Sequence, residues 1–260
     1  TYNLSIDFLK KKLIEAKKNN NLPSLVVPVH FSGQSCEMKE IWKLSKKYGF
    51  KIVEDASHAL GGEYLEKKVG SCEYSDMAVF SFHPVKMITT GEGGAIMTND
   101  KTLNDKIALL RSHGITKNNF QNKSDGDWYY EQQVLGFNYR LTDIQAALGI
   151  SQLKRLDYFV DKRQKIAIQY LKKLKNIELP YQHPDTKSSW HLFVIKVKNR
   201  KKVFNELRER GVMSQVHYIP VNKQPYYGER ILKNSESYYK KCLSLPIYVD
   251  LTHEEQDKVI

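Results

Sequence analysis

The residue with the most distinctive chemical setting is a lysine in a loop rich in threonine and glycine. The stretch 79–94 begins as an apolar strand, reaches Ser81, turns at Pro84 and continues through Lys86 to glycines that allow close backbone approach to a ligand. A lysine near a strand end can be partly desolvated, which lowers its pKa and lets the neutral amine attack a carbonyl. The product with an aldehyde cofactor is a Schiff base. The alternative is that Lys86 is an ordinary solvated lysine of a surface loop.

An acidic residue and a histidine follow a second apolar strand. Asp55 comes directly after the run 50–54, where a carboxylate is well placed to meet a buried cationic group. Such a carboxylate would keep a pyridine nitrogen protonated, which makes pyridoxal phosphate an electron sink. The alternative is that Asp55 is the N-cap of a following helix. His58 would stack on such a ring or hydrogen-bond to it; the alternative is a core or surface histidine.

A third polar stretch lies at 135–143. Asn138 and Arg140 offer hydrogen-bond donors to a phosphate or a carboxylate. The alternative is a simple loop in which Thr142 or Asp143 caps the next helix. The residues of this stretch leave both interpretations open.

The elements that must position these residues alternate between helices and strands. Helical spacing predicts helices over 5–18 and 38–48, the second ended by Gly49, and apolar runs predict strands at 25–29, 50–54, 77–82 and 94–98. This alternation is typical of an α/β sheet with parallel strands, in which ligands bind at the carboxyl ends of the strands. Asp55 and Ser81 lie at such ends.

The second half of the chain has a different pattern. A long helical stretch at 141–174 is predicted to connect a large domain, residues 1–152, to residues 153–260, which comprise the linker helix and a small α+β domain. Within the small domain we expect strands at 190–197 and 212–218 and a helix at 202–210. The last residues, 254–260, have the pattern of a helix that begins there.

Composition excludes several classes of protein. Apolar residues make up 41% of the chain, but no apolar run approaches the roughly 18 residues of a membrane helix, and no signal segment opens the sequence. Three dispersed cysteines, Cys36, Cys72 and Cys242, predict neither a disulfide framework nor a metal site, and favour the reducing cytoplasm. The net charge of +12 favours anionic partners, although only this charge supports nucleic-acid binding, which we do not expect.

The ordered motifs of the chain resemble those of the sugar-nucleotide aminotransferases of the DegT/DnrJ/EryC1/StrS family. The resemblance covers essentially the whole chain and is carried by 29–34, 54–59, 80–86, 91–95, 136–141 and 243–248. Within the family, His58 and the segments 111–114, 128–131 and 216–220 are most similar to the branch that acts in pseudaminic acid biosynthesis.

The resemblance implies an α/β fold of the aspartate aminotransferase type, PLP-dependent fold type I. We expect a partial large domain with a mostly parallel sheet and a small C-terminal α+β domain. The implied reaction moves an amino group from L-glutamate to C4 of a UDP-linked 4-keto-6-deoxy-N-acetylhexosamine. The alternatives are another nucleotide-linked keto-sugar and a catalytically silent fragment; a dehydratase of this fold is disfavoured because those relatives replace the lysine with histidine.

The resemblance also implies how the cofactor, pyridoxal 5'-phosphate, would be held. Lys86 would be the Schiff-base lysine and the acid and base that moves the proton. Asp55 would pair with the pyridinium nitrogen, and His58 would contact the ring or its 3-oxygen. Ser81 would hold the cofactor phosphate. Asn138 would reach the phosphate of the neighbouring subunit's cofactor across a homodimer.

Three further residues are implied in substrate binding. Arg140 would contact the carboxylate of the amino donor or serve as structural support, and His217 and Tyr218 would contact the nucleotide sugar. The sequence departs from the family at its amino end, because members carry a further segment before the position of Thr1. We therefore expect a fragment that lacks part of the cofactor site and exposes surface that the remaining strands would cover.

Overall fold

The chain folds as two groups of secondary structure, described here from a computed structural model that covers residues 1–228 and 230–260. The α-helices are α1 (Ile6–Lys18), α2 (Met38–Tyr48), α3 (Lys101–Arg111), α4 (Asp143–Leu153), α5 (Leu156–Lys173), α6 (Arg200–Glu209), α7 (Lys233–Lys241) and α8 (His253–Val259). The strands are β1 (Leu25–Val26), β2 (Lys51–Asp55), β3 (Glu63–Tyr64), β4 (Lys67–Lys68), β5 (Met77–Ser81), β6 (Gly94–Met97), β7 (Ile115–Thr116), β8 (Glu131–Gln132), β9 (Thr186–Lys187), β10 (Phe193–Lys196) and β11 (Cys242–Leu245).

A four-stranded sheet organises the first half. Its strand order is β1-β2-β5-β6, and the pairs β1–β2 and β2–β5 are parallel, whereas β6 runs antiparallel to β5. The predicted mostly parallel sheet is therefore confirmed. Because β2 and β5 are parallel neighbours, their carboxyl ends lie at the same edge of the sheet.

Two helices form where the apolar spacing predicts them. The Ser5 side chain accepts a hydrogen bond from the Phe8 amide and caps α1, while Gly49, in the left-handed conformation, ends α2. Their apolar faces share one core with the strand residue Ile52. This core fixes β2, and with it the position of Asp55.

The second half has its own apolar core around α5 and the antiparallel pair β10–β11. The largest fully buried side chains there are Tyr170, Phe193 and Leu243. The predicted helix 141–174 is interrupted at 154–155, so that α4, which buries none of its residues, is separate from α5, which buries six. The division of the chain at 152/153 stays a prediction.

The strand predicted at 212–218 is wrong. The burial of this segment does alternate, since Val212 and Ser214 are buried and Met213 is exposed. Yet its only backbone pairing within the described residues is the bridge between Gln215 and Ser244, with N–O distances of 3.1 and 2.8 Å. Alternating burial therefore produced the strand pattern without a hydrogen-bonded ladder.

The two halves meet where residues 186–192 lie along the first half. Strand β9 pairs with β3, and the Ser189 amide donates to the Gly33 carbonyl at 3.0 Å. The Ser189 hydroxyl donates to the His58 carbonyl at 3.0 Å and is buried. We call the contact of residues 186–192 with residues 31–34 and His58 the junction. Among the described helices, none has the length and apolarity needed to cross a membrane.

Candidate active site

Two polar side chains leave the sheet at the same edge. Asp55 is the last residue of β2 and Ser81 the last residue of β5, and Asp55 pairs in register with Val79. The Asp55 backbone is held on one side by Pro28 and His30, at 2.9 and 3.0 Å. Its carboxylate accepts a hydrogen bond from the Ser57 amide at 3.1 Å within a turn, so the N-cap interpretation is wrong.

Lys86 lies in the loop that follows Ser81. Its amide donates to the His83 carbonyl at 2.9 Å. The Thr90 amide donates to the Phe82 carbonyl at 3.0 Å, so the end of the loop lies against the end of β5. Burial lowers the pKa of the Lys86 amine, and the charge of Asp55 acts in the opposite direction. The lysine is therefore a partly desolvated amine within electrostatic reach of Asp55 rather than a fully solvated surface group.

His58 is buried beside the lysine in a defined tautomer. Its Nδ1 accepts a hydrogen bond from the Ser32 amide at 3.3 Å, and a backbone N–H can only donate. In the neutral imidazole the proton is therefore on Nε2, which donates to the Tyr218 hydroxyl at 3.4 Å. Burial and the nearby charge of Lys86 lower the His58 pKa to about 4, so the ring is neutral at physiological pH.

His217 and Tyr218 of the second half lie close to the same residues, and we call the group formed by Asp55, His58, Lys86, His217 and Tyr218 with their neighbours the enclosure. Tyr218 reaches His58 although the two residues are 160 positions apart. The His217 ring shares a hydrogen bond of 2.7 Å with the Ser244 hydroxyl, and its carbonyl accepts one of 2.8 Å from Tyr238. Burial and then the charge of Lys86 lower the His217 pKa. Folding thus brings His217 within electrostatic reach of Lys86.

Asn138 and Arg140 are not part of this enclosure. Both are exposed, and Asn138 forms an isolated backbone bridge with Ser112. Thr142 caps α4 by accepting from the Gln145 amide, as one of the two interpretations of this stretch predicted. Within the described residues, no side-chain hydrogen bond or ion pair connects Asn138 or Arg140 to Lys86.

Sequence reasoning missed three residues of the enclosure. Ser32, with φ of 61°, lies in the left-handed region and presents its amide to His58. His191 packs against His58 with ring centroids 4.4 Å apart and the two rings inclined at 51°. Arg163 is buried, and its guanidinium donates to the His191 carbonyl at 3.2 Å. His191 lies in a segment whose apolar residues indicated only a strand, and Arg163 lies in a helix rich in charged residues, so neither carried a chemical signal.

The electrostatic character of the enclosure favours an anionic ligand. It contains Lys86 and the imidazoles of His58, His191 and His217, whose pKa values burial lowers, and Asp55 is the acidic residue that acts on Lys86 and His58. Two buried polar atoms there, Ser32 Oγ and His191 Nδ1, have no hydrogen-bond partner. Residues 1–228 and 230–260 contain no cluster of three or more histidine, cysteine or acidic residues that could hold a metal ion. The donor set therefore suits a phosphorylated organic group.

Comparison with known proteins agrees with this chemistry. The sequence profile of the DegT/DnrJ/EryC1/StrS aminotransferase family matches residues 1–260. A Campylobacter jejuni protein named UDP-4-amino-4,6-dideoxy-N-acetyl-beta-L-altrosamine transaminase is 41% identical over 257 residues, which are 94% of this chain and 66% of that protein. The chain thus spans just under two thirds of that relative's length.

Two solved structures have the same fold. Helicobacter pylori PseC, an aminotransferase involved in the biosynthesis of pseudoaminic acid, superposes with a TM-score of 0.88 at 35% identity, over 99% of this chain and 68% of PseC. The putative sugar aminotransferase Spr1654 of Streptococcus pneumoniae in its PMP form gives 0.84 at 25% identity, over 100% of this chain and 71% of that chain. The predicted fold, PLP-dependent transferase fold type I, is confirmed.

Proposed function

We propose that this chain, which belongs to the DegT/DnrJ/EryC1/StrS aminotransferase family, carries the catalytic lysine of a PLP-dependent sugar-nucleotide aminotransferase. The observation on which the proposal rests is that Lys86, a partly buried amine, lies within electrostatic reach of Asp55, the last residue of β2. A solvated surface lysine would show neither this burial nor this coupling to a carboxylate. The residue roles that follow are part of the proposal.

The residues present fit pyridoxal 5'-phosphate. Lys86 would bind it covalently, Asp55 would pair with its ring nitrogen, His58 would contact its ring, and Ser81 would contact its phosphate. The fit is supported by the unpartnered Ser32 Oγ beside His58 and by the surplus of basic groups. When bound, the cofactor supplies an aldehyde that takes up the amino group and a ring that accepts electrons.

The chain's own groups would do the remaining work. The depressed pKa of Lys86 raises the fraction of neutral amine, and its Nζ can accept a proton from carbon and return it. The Asp55 carboxylate would hold a proton on the ring nitrogen. His58 carries its proton on Nε2 and is neutral, so it adds a hydrogen-bond donor without adding positive charge.

The proposed acceptor is a UDP-linked 4-keto-6-deoxy-N-acetylhexosamine aminated at C4, with L-glutamate as donor. The name of the C. jejuni relative supports an amino sugar linked to UDP. His217 and Tyr218 border the enclosure from the second half and would contact the nucleotide sugar. Arg140 would bind the donor's carboxylate from outside the enclosure that this chain forms.

We also propose that two copies associate through the face that contains α4. Six apolar side chains of α4 and of the preceding segment 128–137 are more than half exposed: Trp128, Leu135, Phe137, Ile144, Ile150 and Leu153. Exposed apolar side chains in this number favour an interface over a solvated face. In a homodimer this face would place Asn138 and Arg140 against the partner's site, which accounts for their exposure here.

The test of the catalytic lysine is chemical trapping. The purified chain is incubated with pyridoxal phosphate, reduced with borohydride and digested, and the phosphopyridoxyl group is located by mass spectrometry. We expect it on the peptide that contains Lys86. Lys51→Ala, which removes an exposed lysine paired with Asp76, is the control and should label fully.

Two other labelling results would contradict the proposal. If Lys86→Ala protein labels to the same stoichiometry as wild type, Lys86 is not the cofactor lysine. If wild type fails to label while remaining folded, this chain is catalytically silent by itself. Conversion of a C4 keto-sugar nucleotide with labelled L-glutamate then tests the donor and acceptor, with transfer of the label to the sugar as the expected result.

A further inference from the structure

His191 is a buried imidazole that has no hydrogen-bond partner. Only 5% of the residue is exposed, its ring lies 4.4 Å from that of His58, and its Nδ1 is buried and unpartnered. No described residue bonds to Nε2 either. Leaving a buried polar group unpaired is costly, so such a group in a native fold calls for a specific reason.

The backbone around His191 is held by hydrogen bonds on both sides. Arg163 Nη1 donates to the carbonyls of Trp190, His191 and Ile247 at 3.0, 3.2 and 2.9 Å. On the other side, the Leu192 amide donates to the Ser32 carbonyl at 3.3 Å. These contacts fix the main chain from which the imidazole extends toward His58.

Two cations, Lys86 and Arg163, act on His191 together with the imidazoles of His58 and His217. Burial lowers the His191 pKa most, and His58, Arg163, Lys86 and His217 lower it further. A neutral imidazole can donate its N–H to an anion without first binding a proton. A dianionic phosphate would both accept a hydrogen bond from the unpartnered nitrogen and offset the positive charge of Lys86 and Arg163.

We propose that His191 is a further ligand-binding residue of this site, whose Nδ1–H donates to a phosphate oxygen of the bound ligand. The inference rests on the proposed function, which supplies two phosphate sources, the cofactor and the nucleotide diphosphate of the substrate. Arg163 is a positioning residue, because it acts on the ligand only through the backbone of His191.

Binding measurements on matched variants test the assignment. His191→Phe keeps an aromatic ring but removes both nitrogens, whereas His191→Asn retains a donor near the position of Nδ1. His253→Phe, an exposed histidine of the same half of the chain, is the control. Pyridoxal phosphate binding is measured by equilibrium dialysis, and UDP binding to the cofactor-loaded protein by calorimetry.

We expect His191→Phe to bind one of the two probes roughly tenfold more weakly, as for loss of one charge-assisted hydrogen bond. His191→Asn should recover most of this affinity, and His253→Phe should bind as wild type. Weakening confined to pyridoxal phosphate assigns the contact to the cofactor, and weakening confined to UDP assigns it to the substrate. Unchanged affinity for both probes overturns the inference.

A spectroscopic measurement covers the case in which the variant does not fold. Wild-type protein with ¹⁵N-labelled histidine is titrated with each probe, and the His191 Nδ1 resonance should shift on addition of one of them. An unshifted resonance at saturation overturns the inference. If Lys86 is labelled in wild type and His191→Phe binds both probes with unchanged affinity, this inference alone is rejected. Absence of both labelling and probe binding in wild type would reject the proposed function as well.

Discussion

The junction and the face that contains α4 differ in burial and in hydrogen bonding. At the junction, His191 is buried and its carbonyl accepts a hydrogen bond from the guanidinium of the buried Arg163. At the other face, Asn138 and Arg140 are exposed, and Ile144 beside them is 85% exposed. One part of the proposed site is therefore held by contacts within this chain, whereas Asn138 and Arg140 are exposed on its surface.

Removing the buried guanidinium should give the largest effect. Arg163→Met leaves three carbonyl oxygens without their donor, so we expect the free energy of unfolding to fall by about 3 kcal/mol or more, measured by urea denaturation. Arg140→Met, on the exposed face, should change it by less than about 0.5 kcal/mol. Equal effects of the two substitutions would remove the distinction between the two regions.

Acidification should weaken the junction through His58. Its folded-state pKa of about 4 lies below the ordinary 6.5, so the unfolded chain binds the proton more strongly and stability falls as pH falls from 6.5 to 4. The contribution is roughly 2–3 kcal/mol. In His58→Gln, which cannot titrate, the fall over this window should be smaller by that amount. Urea unfolding at several pH values measures it, and parallel profiles would contradict it.

Crowding at Gly33 should have an intermediate effect. A Cβ there would lie 2.6 Å from Ser189 Oγ and 2.8 Å from the Trp190 amide nitrogen, at a φ of 102°. We expect Gly33→Ala to lower the free energy of unfolding by roughly 2 kcal/mol more than Gly211→Ala. Gly211 has a φ of 78° but open space around it, so the control isolates the steric part. Similar losses for both variants would show that the junction can relax.

The smallest effect on stability is expected on the exposed face. Ile144→Ser should leave the free energy of unfolding within about 0.5 kcal/mol of wild type, because this side chain has few contacts to lose. The same substitution should weaken self-association, measured by sedimentation equilibrium, by roughly tenfold if burial of Ile144 stabilises a dimer. A monomeric wild type would reject the homodimer and leave this face for other parts of a longer protein.

Local signals in the sequence were sufficient for much of the first half. The apolar spacing of 38–48 with Gly49 predicted α2, and the apolar runs before Asp55 and Ser81 predicted two strands whose carboxyl ends meet. These predictions succeeded because helix caps and strand runs depend on neighbours within a few residues. The strand at 212–218 failed because alternating burial does not require a paired strand.

The contacts of the enclosure could not be read in the same way. His58 meets Tyr218 and His191 only because the second half folds back on the first, and the sequence pattern around His191 indicated an apolar strand alone. Motif resemblance named His217 and Tyr218 but left His191 and Arg163 out. His191 stands out because it is buried without a hydrogen-bond partner, and Arg163 because it is buried and donates to three backbone carbonyls. Both are properties of the folded chain.

The sequence by itself determined the order of elements, the family and the chemical identity of the lysine and the carboxylate at the strand ends. Only the tertiary structure decided that Lys86 is partly buried beside Asp55, that His58 carries its proton on Nε2, and that Asn138 is exposed on another face. The physical reason is that residue types and short-range spacing are encoded locally. Desolvation, tautomer and charge–charge coupling arise from groups that are distant in the chain and meet only on folding.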